Sequence, residues 1–179
     1  MGINTGYLKA ATTRESDEVY TPAYAVKPII KYISTFFDDD ATVWCPFDEE
    51  DSNYVIELKK AGYNVIATHI NKGQDFFEFE PESYDVIISN PPFSLKDKIL
   101  KRLYELDCPF AMLLPLPTLQ GQKRFQYLKD CEALIFDKRI NYYKNKETKE
   151  IQKGVAFASI YICKHILPES LIFEELEIE

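Results

Sequence analysis

The residues best suited to chemistry are Ser89-Asn90-Pro91-Pro92-Phe93. They follow an apolar run, Tyr84 to Ile88, that reads as a buried parallel strand. They precede Leu95 to Leu106, whose apolar residues recur at helical spacing. A polar amide, two prolines and an aromatic ring therefore sit at the carboxyl end of a strand, where open α/β sheets bind ligands. A residue before proline is pushed toward extended backbone, and proline fixes its own φ and lacks an N–H. The loop is stiff and can point carbonyl oxygens outward. The Asn90 side-chain oxygen and the Pro91 carbonyl make two acceptors, which suit an amine with two N–H bonds. Phe93 offers a flat face to the planar group bearing that amine, and stacking a base on an aromatic ring is worth about 1–3 kcal/mol. An amine held through its hydrogens keeps its lone pair for an electrophile, and no cysteine nucleophile is required.

Asn90-Pro91-Pro92-Phe93 resembles the catalytic motif of the S-adenosylmethionine (SAM)-dependent amino-methyltransferases, above all the DNA adenine-N6 group, here as a phage-encoded member. The resemblance covers roughly Tyr20 to Cys163. It implies a Rossmann-like, doubly wound α/β sheet of the class I methyltransferase kind, mostly parallel with one antiparallel strand. It implies SAM as cofactor, no metal, and Asn90, Pro91, Pro92 and Phe93 as the catalytic set. Tyr20-Thr21-Pro22 then corresponds to the segment that touches the methionine part of the cofactor. Pro46-Phe47 matches the loop after the first strand. Family members have an acidic residue before that loop and a glycine-rich turn after it. Here Cys45 stands at the acidic position and the turn holds no glycine, which leaves Asp48 or Ser52 to meet the cofactor. After the second strand, Ile70 would pack on the cofactor adenine. His69 either donates to a ribose hydroxyl or is structural. Asp75 either accepts from the adenine amine, with Phe76 packing the ring, or caps the Gly73 turn.

These residues need elements to hold them. Residues 1–17 are polar and lack periodicity, which predicts a flexible arm. Thr21 and Pro22 predict the N-cap and first position of a helix from Ala23 to Phe37, with Val26, Ile29, Ile30 and Ile33 on one face. Strands are expected at Ala41–Cys45, Tyr63–Ile70, Tyr84–Ile88, Cys108–Pro117, Cys131–Phe136 and Gly154–Cys163. Helices are expected at Ser52–Ala61, stopped by Gly62, and at Lys123–Lys129 with Phe125 and Leu128 inward. The methyltransferase domain would span 18–166. The stretch 167–179 reads as an acidic tail, a solvated strand or helix end.

With 179 residues and 46% hydrophobic content, the chain suffices for one domain with a sizeable core. No apolar run reaches the length of a membrane span, and the start lacks a signal-peptide pattern. The four cysteines have neither CxxC nor metal-ligand spacing, so reduced thiols in a cytoplasmic protein are expected. A net charge of -8 argues against unselective nucleic-acid binding. The charge is uneven, however: Lys123 to Lys153 holds nine basic residues against five acidic ones. Lys123, Arg124, Lys138, Arg139, Tyr142, Tyr143, Lys144 and Lys146 are the candidate nucleic-acid contacts, with DNA preferred to RNA. The chain has no room for a separate target-recognition domain, so specificity would come from loops, the arm, a separate partner or a homodimer. Two rivals remain at this level. One methylates an amine of RNA or of a protein glutamine. The other is a degenerate methyltransferase fold that binds without catalysing.

Overall fold

The computed structural model describes residues 19–145, 147–152 and 157–178. The expected arm at 1–17 lies outside them. Seven strands form one sheet in the order β2-β1-β3-β4-β6-β5-β7. They are β1 Thr42–Cys45, β2 Asn64–Ala67, β3 Val86–Ser89, β4 Phe110–Pro115, β5 Glu132–Phe136, β6 Ser159–Lys164 and β7 Leu171–Glu174. All pairings are parallel except the two made by β6, which runs against β4 and β5. The carboxyl ends of β1, β3, β4 and β5 therefore share one edge. Helices α1 Ala23–Ile33, α2 Asn53–Lys60, α3 Lys96–Leu106 and the single turn α4 Phe125–Leu128 complete it.

The helices wind on both faces. On one face Tyr161 of β6 donates its hydroxyl to the Ala25 carbonyl of α1 (3.0 Å) and pairs with the Tyr54 hydroxyl of α2 (2.9 Å). Burial pushes both phenols well above their ordinary range. On the other face Tyr104 of α3 packs on Phe110 and Tyr127, and Trp44 of β1 packs on Phe76 and Tyr84. This is a doubly wound, Rossmann-like α/β sheet, mostly parallel with one reversed strand.

Several elements differ from the sequence expectation. Pro22, not Thr21, is the N-cap of α1, and no side chain caps it. Helix α1 ends at Ile33, four residues early, in a turn closed by Ser34 and Thr35 hydroxyls on the Lys31 and Tyr32 carbonyls. The Phe125 ring is 68% exposed while Leu128 is buried, because a four-residue helix has too little length to turn both inward. Of the final apolar run, 154–156 lie outside the described residues; the strand runs Ser159–Lys164, and Phe157 packs edge-on against Phe93.

The acidic tail is not a solvated end. Leu171–Glu174 adds β7 to the sheet in parallel with β5. Glu174 binds the Tyr32 hydroxyl and Lys31 Nζ, and Leu176 is buried with its N–H on Asp137 Oδ1. Two glycines do what φ > 0 requires: Gly62 at φ 103 ends α2, and Gly73 at φ 72 closes the turn after β2.

Candidate functional site

The order of strands reverses at β1, because β2 lies on one side of it and β3 on the other. Such a switch point leaves a crevice at the carboxyl ends of the strands. A cavity of about 710 Å³ opens there, within the 300–1,000 Å³ range common for small-molecule sites. Its floor is the β1 loop, Pro46-Phe47-Asp48. Its far wall is His69, Ile70, Asp75, Phe76 and Phe77, and its near wall Tyr20, Thr21, Asn90 and Pro92. Eleven of the residues expected to bind cofactor or catalyse thus converge on one space.

Asn90 leaves β3 directly. Its Nδ2 donates to Thr21 Oγ1 (3.1 Å), and its Oδ1 is buried with no hydrogen-bond partner. Thr21 is itself buried, and Asn53 Nδ2 at the start of α2 donates to the Thr21 carbonyl (2.7 Å). Thr21 therefore joins the β3 loop to α2 instead of capping α1. Pro92 holds φ -57 and ψ 120 before the 3-10 turn Phe93–Leu95.

Three expected site residues lie behind the cavity rather than on it. Pro22 and Pro91 are buried. Phe93 is 5% exposed, edge-on to Phe157 (5.1 Å) and Tyr142 (6.5 Å). Its ring braces the loop here and has no open face for a base.

The loop after β1 solves the lack of glycine with side chains. No residue from Pro46 to Ser52 has positive φ. The loop turns at Pro46-Phe47 and again at Glu50-Asp51, fastened by Thr68 N–H on the Cys45 carbonyl (3.0 Å), Asp48 N–H on the Thr68 carbonyl (3.2 Å) and Ser52 N–H on the Glu49 carbonyl (3.0 Å). The Asp48 carboxylate is buried and accepts from Ser89 Oγ at the end of β3. Ser52 then caps α2, its Oγ accepting from Val55 N–H (3.2 Å). At the cysteine position, burial foremost and the nearby Asp48 second push the Cys45 thiol well up.

On the far wall His69 Nδ1 accepts from Asn71 N–H (3.2 Å), a turn cap, and Ile70 beside it is 60% exposed. Asp75 Oδ1 accepts from Phe77 N–H (3.0 Å), so Asp75 both caps its turn and lines the cavity. Phe76 is mostly buried against Trp44 and Phe47. Arg102 of α3 covers it and donates Nε to its carbonyl (2.6 Å).

The basic and aromatic candidates divide. The described ones come from loops on the edge where the cavity opens, and Lys123, Lys138, Arg139 and Lys144 are exposed. Arg124 is not available to a phosphate. Its guanidinium binds Asp97 (2.6 Å), the Thr118 carbonyl (2.9 Å) and the Gln120 carbonyl. Tyr142 is 1% exposed and donates its hydroxyl to Ser159 Oγ (2.7 Å); burial raises that phenol. Tyr143 instead pairs with Tyr20 as an antiparallel bridge and lines the cavity. Lys146 lies outside the described residues. Sequence reading missed Asn53, Phe77 and Lys149. Phe77 adjoins the expected Asp75-Phe76 and could have been found with them, whereas Asn53 and Lys149 reach the site only through contacts distant in sequence.

The four cysteines are free, with Cys45 and Cys163 buried. No group of three or more potential metal ligands occurs among the described residues, and no described helix is long and apolar enough to cross a membrane.

The fold and cavity define a Rossmann-like α/β domain with a ligand cleft at its switch point. No protein-family model and no curated protein matches the sequence. Among solved structures it is similar to a release-factor-specific protein-(glutamine-N5) methyltransferase from Alicyclobacillus acidocaldarius subsp. acidocaldarius DSM 446. The TM-score is 0.41 and the identity 10%, over 80% of this chain and 93% of that one.

Proposed function

We propose that this chain is a SAM-dependent amino-methyltransferase and that its target is the N6 amine of adenine in DNA. The observation that carries the reading is the Asn90 carboxamide. A buried acceptor without a partner costs about 1–3 kcal/mol. A donor arriving at Asn90 Oδ1 removes that cost, and Thr21 keeps the amide from turning its NH2 toward the donor. The oxygen of Asn90 holds the amine through one of its hydrogens, leaving the lone pair for attack. Most of the acceleration is then positioning, not acid–base chemistry.

The cavity residues fit SAM. Phe47, Ile70, Phe76 and Phe77 supply apolar surface for adenine, and Asp75 supplies an acceptor for its amine. Asp48 and Glu49 place carboxylates where hydroxyls and a positive sulfonium are favoured. When bound, SAM supplies an electrophilic methyl group. A melting experiment tests the fit: SAM at a hundred times its Kd should add about 2.7 kcal/mol to stability. No shift would support the non-catalytic reading.

A base reaching Asn90 must be flipped out of the duplex, at a cost of a few kcal/mol. Exposed Lys123, Lys138, Arg139 and Lys144 would take phosphates, and Tyr143 on the cavity wall would replace Phe93 as stacking face. The buried Phe93 favours a second reading, a protein glutamine. That amide needs the Asn90 acceptor and no ring. Transfer of labelled methyl from SAM to adenine-bearing DNA, RNA and a glutamine peptide separates them; labelling of the peptide alone would end the DNA assignment.

A further inference from the structure

The turn beside Tyr20 and Tyr143 brings a cation to the cavity. Lys149 lines it and holds φ 52. Left-handed backbone at a residue other than glycine costs of order 1–3 kcal/mol and persists where the surroundings impose it. Here they do. Asn145 Oδ1 accepts from Glu147 N–H (2.8 Å) and Thr148 N–H (3.0 Å), Lys149 N–H donates to the Asn145 carbonyl (3.2 Å), and Lys144 N–H donates to that of Glu150 (2.7 Å). Bridges from Tyr143 to Tyr20 and to Ile151 fasten the turn to the cavity wall. Among the described residues, the other two with positive φ and a side chain sit at element ends: Asp107 closes α3, and His165 follows β6.

Among the described residues, three lysines line the cavity: Lys27, Lys60 and Lys149. Lys60 is paired with Glu57 (2.7 Å), and Lys27 already has a partner. Lys149 has no carboxylate partner among the described residues, although Asp48, Glu49, Asp51, Glu57 and Asp75 line the same space. Such a lining favours cationic and hydroxylated groups and opposes a carboxylate unless a cation accompanies it. SAM carries all three kinds of group. With adenine at Ile70 and Phe76 and the methyl beside Asn90, its amino-acid end runs toward Tyr20, Thr21 and Lys149.

We propose that Lys149 is the counter-cation of the SAM α-carboxylate, aimed into the cavity by the left-handed turn. The inference rests on reading the cavity as a SAM site. Calorimetric titration of the full chain with SAM and with decarboxylated SAM tests it. Lys149→Ala should weaken SAM binding about three- to tenfold, the range for one charge-assisted hydrogen bond at a partly wet rim. The decarboxylated ligand, having no carboxylate to lose, should bind the variant as it binds the wild type, and Lys149→Arg should retain SAM affinity. Lys149→Gly should show the same selective loss while raising the melting temperature, because glycine adopts this φ without strain. Equal losses for both ligands, or none for either, overturn the proposal. So does a carboxylate-selective loss in Lys27→Ala that Lys149→Ala lacks. A wild-type chain that binds neither ligand fails at the earlier step, and the SAM reading falls with it.

Discussion

Strands β3 and β4 are neighbours and end in nearly the same way. β3 runs into Asn90-Pro91-Pro92 and the 3-10 turn Phe93–Leu95; β4 runs into Leu116-Pro117 and the 3-10 turn Leu116–Leu119. Each loop holds a buried side-chain atom with no partner, Asn90 Oδ1 in one and Thr118 Oγ1 in the other. What faces them differs. Asn90 stands on the cavity wall, with its amide nitrogen fixed by Thr21. The Thr118 loop is closed over by Arg124, which takes the Thr118 and Gln120 carbonyls and reaches Asp97. Proline-braced turns after parallel strands are thus common property of this sheet edge. An orphaned polar atom becomes a site only where the fold keeps a space in front of it.

The widest separation between the two loops should come from their orphaned atoms. Asn90→Ala should lower methyl transfer about a hundredfold or more, comparable to removing one positioned polar group from a reacting centre. Its circular dichroism and melting temperature should stay near wild type. Thr118→Val should leave transfer unchanged and stabilise the chain by about 1 kcal/mol, since an unpaired buried hydroxyl gives way to a methyl group. Wild-type turnover in a folded Asn90→Ala chain would erase the distinction.

Next in size is the clasp. Arg124→Ala should destabilise by about 1.5–3 kcal/mol, the worth of hydrogen bonds from a charged donor. Denaturant unfolding measures this, and SAM affinity should not change. A matching loss of SAM binding would mean that the two loops are coupled.

Smaller still is the orientation lock. Thr21→Val should leave Asn90 free to rotate and lower kcat more than it raises KM for the methyl acceptor. Thr21→Ser should restore both.

The smallest effect lies at the far edge of the sheet. Burial pushes the Glu174 carboxyl up, but hydrogen bonds from Lys31 and Tyr32 together outweigh it, and the group ends below its ordinary value of 4.5. A carboxyl lowered by folding stabilises fully above its unfolded value and loses that contribution as pH falls through the folded one. Below about pH 4.5, β7 amides should exchange faster while those of β3 keep their protection. Glu174→Gln should remove the pH dependence.

Much of this was legible in the chain. The alternation of apolar runs with helical spacing gave six of the seven strands and the four helices, because burial on both faces leaves a continuous apolar signature. For β7 the sequence left strand and helix end open, because an edge strand is half wet, and its place in the sheet was not legible. Leu171 and Phe173 face outward, and Glu174 points inward only because Tyr32 and Lys31 receive it.

Local chemistry in the sequence determined a stiff Asn90 loop at a strand end and a glycine-free turn after β1. Proline geometry and the absence of glycine act on neighbouring residues alone. Tertiary structure decided the remainder: that Phe93 turns inward and Tyr143 outward, that Arg124 serves a loop and Lys149 a cavity, and that Ser89 holds Asp48. Each of those outcomes depends on which groups meet across the sheet edge, and such meetings are set by strand order and packing, which no stretch of sequence contains by itself.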